Sequence, residues 1–534
     1  MMNKRKFRFL RKLFPSAVCG ILILCLLTGC GSETWSEIVP EPVFSAPVFN
    51  TPTATEVPPT RNGDGVLTLN YAEGFSMNPF VSQSEANLLL CGLLYEPMVT
   101  VAPGFHAEPC VFASWTHEAG VLFRFTIKSG LRFSDGSEVR NWDVLYSLNR
   151  AQESGSHYQS RLKDIAEAYV EGDGIVIRLK SSNPSFPLRL DIPVVKEGSA
   201  YSDLPIGSGP YILVKTNNGA ELNASITYPK YAELPLQTIA LVSLPQEQLN
   251  SAFADGTVDM LVSSTGTDVA FLVPGDAERR YLDTTILHFL IVSPDSGALS
   301  DPNRRRLLSA AMNRNSISAL LGGNASLLPI SLGTGYVSNT WIEDSVPKDI
   351  EAFKIDILTE DYDGDGILEY FVGGEPRAMI LRLLYCSDSS SASLAASRIR
   401  TDFQGIGISV TLVPAEMSEY RSMLRSGNYD LCLASVRLTS DFDLTQLLCS
   451  DGSLYCGGCS SELQQAVREF RSAEDTQREE CAKTMCILLA QECPILPICF
   501  SRNVLVVGRG VAQGLNPTWT DPYRRPMDWI PGNV

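Results

Sequence analysis

The chain has 534 residues, 44% of them hydrophobic and 19% charged, and a formal net charge of −17 at neutral pH. That length exceeds what one hydrophobic core supports, so two or three lobes are expected. The acidic balance argues against nucleic acid or anionic lipid as the partner of the folded body, and it serves solubility.

At the start of the chain, Lys4, Arg5, Lys6, Arg8, Arg11 and Lys12 precede an apolar run from Ala17 to Leu27. A basic opening followed by an apolar stretch too short to span a bilayer is the pattern of a secretory signal. Removal of these six positive charges takes the net charge from −17 to −23. The run ends Leu27-Thr28-Gly29-Cys30, which resembles the lipobox of bacterial lipoproteins. That resemblance implies a signal peptide over 1–29 and a diacylated Cys30, and two acyl chains give stable anchoring in a membrane. Residues 30–65 are rich in Pro, Thr, Ser and Glu, with prolines at 40, 42, 47, 52, 58 and 59. Such a composition makes an extended tether that holds a body away from the membrane.

The body begins at Val66, where Val66 to Tyr71 alternates like a strand. Met77-Asn78-Pro79-Phe80 and Tyr95-Glu96-Pro97-Met98-Val99 follow. From Ala113 to Arg150 the order of parts is distinctive. Phe123, Phe125 and Ile127 form one face of a strand, Ser134-Asp135-Gly136-Ser137 is turn chemistry, and Asn141 is placed to cap a helix carrying Asp143 in its first turn. Val144, Leu145 and Leu148 supply the buried stripe of that helix. Gly207-Ser208-Gly209-Pro210-Tyr211 marks a tight turn into a strand over 211–214.

Further along, Asp301-Pro302 signals a helix start, and the leucines and alanines of residues 304–314 recur at helical spacing. The three arginines Arg304, Arg305 and Arg306 read as a solvated face. Asp361, Asp363, Asp365 and Gly366 spell D-x-D-G-D-G, the front half of a calcium loop, with Glu369 at position nine. Val372 stands where a bidentate Glu belongs, so a structural turn is read ahead of a calcium site, which stays the alternative, and no metal is assigned. Residues 379–413 read strand, helix, strand; 429–433 is another strand; helices follow at 463–470 and 476–489; the segment 495–507 closes the fold.

Taken in this order, the stretches from 66 to 530 resemble the peptide/nickel family of extracytoplasmic solute-binding proteins, the receptor components of ABC importers. The 113–150 stretch carries most of that resemblance, with Arg140 and Asn141 standing where the family has a threonine-alanine pair. The resemblance implies an α/β bilobal periplasmic-binding-protein-like fold, with lobes joined by hinge strands. It places the first lobe at 66–265 with an inserted subdomain around 104–204, the second at 266–505, and a C-terminal return to the first lobe over 506–534. It also implies a monomer on the outer face of the cell membrane that captures peptides between its lobes and delivers them to permease and ATPase subunits. Nickel, an oligosaccharide, or a role as a ligand sensor on the same fold are the alternatives.

In peptide-binding relatives an aspartate in the second lobe pairs with the α-amino group of the ligand. The corresponding stretch here is Ala434 to Asp443, with Asp441 the best match and Asp443 its rival. A loop disulfide in some relatives falls between Cys449 and Cys459, so 449–459 is the expected pair and 449–456 the second choice. Outside the leader and Cys30, eleven of the 14 cysteines remain, an odd number for an exported body. Catalysis finds no support: the four histidines, His106, His117, His157 and His288, are scattered, and no H-E-x-x-H, G-x-S-x-G, Walker or G-x-G-x-x-G arrangement is present. No enzyme activity and no cofactor are expected.

Overall fold

The computed structural model describes residues 66–217, 219–264 and 277–532. The leader, Cys30 and the tether lie outside the described residues, as does the lobe boundary expected at 265.

Local chemistry explains the stretch that carried the sequence reading. Alternation puts Phe123 and Phe125 inside and Arg124 and Thr126 outside in the strand Leu122–Ile127. This strand is the second of a four-stranded antiparallel sheet, between Phe112–Glu118 and Gly174–Leu179. Phe112 stacks on Phe125 with ring centroids 4.4 Å apart, so the buried face is an aromatic layer. In the following turn Asp135 accepts from the Ser137 amide and Gly136 adopts φ +86°, which costs a glycine little. The helix cap differs from expectation. Asn141 is the first helical residue, and Asp143 reaches back to accept from the Arg140 amide at 2.9 Å, while its other oxygen accepts from the Glu197 amide at 2.8 Å. Asp143 therefore supplies the side-chain half of a capping box and ties the helix to the neighbouring loop.

One mixed sheet of 11 strands runs through the molecule. At its first-lobe end lie Tyr211–Thr216, Gly219–Ala224, Thr238–Ser243, Thr68–Tyr71 and Met260–Ser264; at its second-lobe end lie Leu431–Arg437, Ile380–Cys386 and Ser409–Ala415. Between the two ends the long strands Glu278–Val292 and Ile495–Val507 pair with each other, from Glu278 opposite Val507 to Ile291 opposite Ile495. Met260–Ser264 pairs with 503–507 on one side, and Leu431–Arg437 pairs with 286–292 on the other. These two strands are the hinge of a bilobal α/β fold.

Their ladder breaks in the middle, with register shifts between Asp283 and Leu287 and again between His288 and Phe289. Bulges of this kind bend a strand and increase its twist. Polar side chains occupy the break: Thr284 donates to the Ser501 carbonyl at 2.7 Å, and His288 sits between the hydroxyls of Ser501 at 2.6 Å and Ser435 at 2.7 Å. Burial pushes the His288 imidazole down to about 4, so it is neutral at pH 7.

Separate hydrophobic cores fill the lobes. The first joins Leu67, Phe80, Leu94, Phe123 and Ile177 to Leu505, Val507 and Trp529 from the C-terminal part of the chain. The second lobe has one core around Phe442, Leu447, Phe470 and Met485 and another around Leu307, Leu383, Ile399 and Phe403. Phe105, at the tip of the hairpin of Val99–Ala102 and His106–Pro109, belongs to the core that contains Phe442, and the two rings meet edge-on with centroids 4.9 Å apart.

Two details depart from the sequence reading. Gly207 and Gly209 do more than turn the chain: a Cβ on Gly209 would lie 2.4 Å from the Leu94 carbonyl carbon, so the strand approaches the end of the helix Glu85–Leu94 at glycine distance. The arginines of the helix Pro302–Ala311 are not a solvated face. Arg305 donates to the Glu492 carbonyl at 2.7 Å, Arg306 to the Ser345 carbonyl at 2.9 Å, and Arg304 is buried against Tyr370. They clamp the ends of neighbouring segments.

Glu96, just beyond the helix Glu85–Leu94, has a carboxyl that burial pushes from its ordinary 4.5 up to about 7, against the opposing pull of Ser208 and Lys128. Its folded-state pKa is raised, so the folded protein binds more protons than the unfolded chain between these values, and stability falls as pH rises from about 4.5 to about 7. Glu96→Gln is expected to remove this slope and raise stability at pH 8 by about 1–3 kcal/mol. Denaturant unfolding of both proteins at pH 5 and pH 8 checks it; parallel pH dependences would contradict the assignment.

Candidate functional site

A cleft of about 850 Å³ lies between the lobes. Its first-lobe wall comes from the helix Glu85–Leu94, the segment 156–164 and the segment 189–193; its second-lobe wall comes from 436–440, Asp443 and the short helix Thr445–Leu448. Residues 519–524 of the C-terminal return line it as well. The volume falls in the range of small-molecule sites, and the lining mixes apolar residues such as Leu88 and Leu447 with charged ones.

Across one end of the cleft runs a chain of alternating charges. Arg189 donates through Nε to Asp441 Oδ2 at 2.9 Å, through Nη2 to Asp443 Oδ2 at 2.7 Å and through Nη1 to Asp164 Oδ2 at 2.9 Å. Asn183 adds a bond to Asp441 Oδ2 at 2.7 Å, and Arg471 donates to Asp164 at 2.7 Å. Asp164 and Arg189 come from the first lobe, Asp441, Asp443 and Arg471 from the second. Burial alone would raise the Asp441 carboxyl, but the Arg189 guanidinium outweighs it and holds the group below the usual carboxylate range. The three carboxylates in turn outweigh the effect of burial on Arg189 and hold its guanidinium firmly charged.

The expected anchors therefore have a protein cation of their own. Asp443 is in the cleft wall, and its Oδ1 also accepts from the Thr445 amide at 2.9 Å, opening the helix Thr445–Leu448. Asp441 lies outside the lining set, with its carboxylate on Arg189 and Asn183. Sequence reading missed Arg189, although an arginine set among Phe186, Leu188, Leu190 and Ile192 is a signal of a buried charge that needs a partner.

The expected disulfide is not formed. Cys449, Cys456 and Cys459 are free thiols, turned toward the carbonyls of Gln464, Leu454 and Gly457. In the acidic turn, one oxygen from each of Asp361, Asp363, Asp365 and Glu369 lies within 4.8 Å of the others. Asp361 accepts from the Gly364 and Gly366 amides, Asp365 from the Ile367 amide and Glu369 from the Tyr362 amide, which is the bonding of a turn. This turn lies outside the cleft lining.

Asp521 is a cleft residue that the sequence hid in an ordinary-looking Thr-Asp-Pro turn. Its Oδ1 is buried with no hydrogen-bond partner, and burial pushes the carboxyl up to about 6 against the pull of Arg524. Trp519, two residues earlier in the chain, also lines the cleft; its Nε1 is likewise buried without a partner, and the Arg437 guanidinium lies 5.5 Å from its ring centroid.

Residues 106–448 match the model of the bacterial extracellular solute-binding proteins, family 5, middle region. Protein XP55 of Streptomyces lividans is 24% identical over 250 residues, a match that spans 44% of this chain and 45% of that protein. Among solved structures, the oligopeptide-binding protein AppA of Bacillus subtilis, in complex with a nonapeptide, superposes with a TM-score of 0.61 at 18% identity, over 88% of this chain and 99% of that one. A nickel ABC transporter protein of Bacillus halodurans gives 0.70 at 16% identity over 88% and 99%. The unliganded open form of the murein tripeptide binding protein MppA gives 0.72 at 16% identity over 88% and 98%. At these identities the superpositions speak for the fold. Among the described residues no helix is long and apolar enough to cross a membrane.

Proposed function

Because the chain belongs to family 5 of the bacterial extracellular solute-binding proteins, which are binding proteins of transport and not enzymes, we propose that it is the lipid-anchored receptor of an ABC importer, and that it captures peptides between its lobes and hands them to the permease. The observation that carries the peptide reading is the interlobe cleft of about 850 Å³. A space of that size suits an extended ligand of a few residues, whose backbone pairs with polar wall groups while its side chains sit in roomy, wet pockets. A bare nickel ion needs several soft or imidazole donors, and among the described residues His157 is the one histidine in the lining. The nonapeptide held by the Bacillus subtilis relative supports the same reading.

In this proposal the first lobe runs from 66 to 265 with its subdomain around 104–204, the second from 266 to 505, and residues 506–534 return to the first. The protein acts as a monomer on the outer face of the membrane, held by acylated Cys30. Asp441 and Asp443 serve closure by tying the second lobe to Arg189, and Asp443 fronts the bound solute. Calorimetric titration with tripeptide mixtures, beside nickel and short oligosaccharides, tests the ligand class. Micromolar or tighter binding of peptides, with no heat from the other two, is the expected outcome; saturable binding of nickel or sugar alone would replace the peptide reading. Membrane fractionation of the Cys30→Ser protein reads the anchor.

A further inference from the structure

Among the described residues five carboxylates line the cleft: Glu85, Asp164, Asp191, Asp443 and Asp521. Asp164 and Asp443 share Arg189 and Arg471, and Asp191 pairs with Arg161 at 2.8 Å. Glu85 is exposed. Asp521 alone among them combines a buried carboxylate oxygen without a hydrogen-bond partner with the absence of an ion pair within 4 Å. The cation nearest to it in sequence, Arg524, is turned to Glu108.

From this arrangement we infer that Asp521 is the counter-charge for a solute ammonium group, the place where a cationic end of the ligand is held. The inference rests on the reading of the cleft as a solute site and adds which group of the solute is recognised and where. Two features of the surroundings suit the task. Gly92 on the facing helix leaves the room the carboxylate occupies, since a Cβ there would lie 2.5 Å from Asp521 Oδ1. The raised carboxyl pKa reflects a charge removed from water that Arg524 and the Tyr523 amide offset only in part, and an arriving ammonium supplies the remainder. The expected anchors, Asp441 and Asp443, already hold Arg189 and so have less to offer a second cation.

The test compares the wild-type protein with Asp521→Asn, which keeps size and shape while removing the charge. Three probes are titrated: a mixture of tripeptides with free amino termini and no lysine, the same mixture N-acetylated, and an N-acetylated mixture containing lysine. Asp521→Asn is expected to weaken binding of an ammonium-bearing mixture at least tenfold and to change binding of the acetylated lysine-free mixture by less than twofold. Loss confined to the first probe assigns the α-amino group; loss confined to the third assigns a lysine side chain. Gly92→Ala, whose added methyl displaces the carboxylate without altering any charge, is expected to reproduce the same selective loss. Equal changes across all three probes in both variants would overturn the anchor while leaving the peptide reading in place. Failure of the wild-type protein to bind any of the three would overturn the peptide reading and the anchor with it.

Discussion

Arg189→Ala is expected to cost about 3–5 kcal/mol of stability, because it leaves buried carboxylates without their cation. The side chains of Arg189, Asp441 and Asp443 are 5%, 2% and 5% exposed, which separates this network from surface pairs worth little. Asp441 loses its ion pair altogether, Asp443 keeps Arg471 at 3.5 Å, and Asp164 keeps Arg471 at 2.7 Å. The damage therefore centres on Asp441, and combining Arg189→Ala with Asp441→Asn is expected to recover a substantial part of the loss. Denaturant unfolding of the two single variants and the double variant forms a cycle that isolates the coupling. A loss below about 1 kcal/mol for Arg189→Ala would mean that the network is wet and screened. Arg189→Lys is not a conservative control, since a single ammonium cannot replace a planar fork that serves three carboxylates at once.

The second large effect concerns Phe442, which stands between the two aspartates in sequence and is 1% exposed. Its ring meets Phe105 of the hairpin tip at 4.9 Å and Phe500 of the hinge strand at 5.8 Å, both edge-on. Phe442→Ala is expected to cost about 3–5 kcal/mol through lost burial and the cavity left behind. Its backbone is held at φ +52°, a left-handed conformation that is unfavourable for a residue with a Cβ and persists because the ring is so well enclosed. Phe442→Gly should accordingly be less damaging than Phe442→Ala, by about 1 kcal/mol, although it removes one more carbon. Unfolding measured by near-UV circular dichroism ranks the two; an alanine variant more stable than the glycine variant would show that the backbone at 442 carries no strain.

What the sequence made legible was local. Phe123 and Phe125 alternate, Asp135 and Gly136 turn, and Asp301-Pro302 opens a helix because each signal is complete within a few residues. The closing segment 495–507 was visible as an apolar run, and the strand occupies the same residues, but nothing within it says that it pairs with Glu278–Val292. Long-range partners are invisible in this way in general. Arg189 and Asp441 are 252 residues apart, so the aspartate looked free when its cation came from the other lobe. The arginines at 304–306 were misjudged for the same reason, since their acceptors are carbonyls at positions such as Ser345 and Glu492 that carry no sequence signature. Asp521 was hidden by its neighbours, because Asp before Pro in a polar stretch is what most turns contain.

The hinge strand Ile495–Val507 also sets a timetable. Met260–Ser264 lies between Thr68–Tyr71 and residues 503–507, so the first lobe begins near the start of the described chain and borrows its last neighbour from near the end. Leu505, Val507 and Trp529 close the same core that Leu67 and Leu69 open. A ribosome has therefore carried synthesis as far as Trp529 before the first lobe has all of its parts, and residues 66–264 must wait with an open sheet edge and an unfilled core. Such long waits favour slow folding and keep the nascent chain dependent on whatever holds it soluble until the final strand arrives.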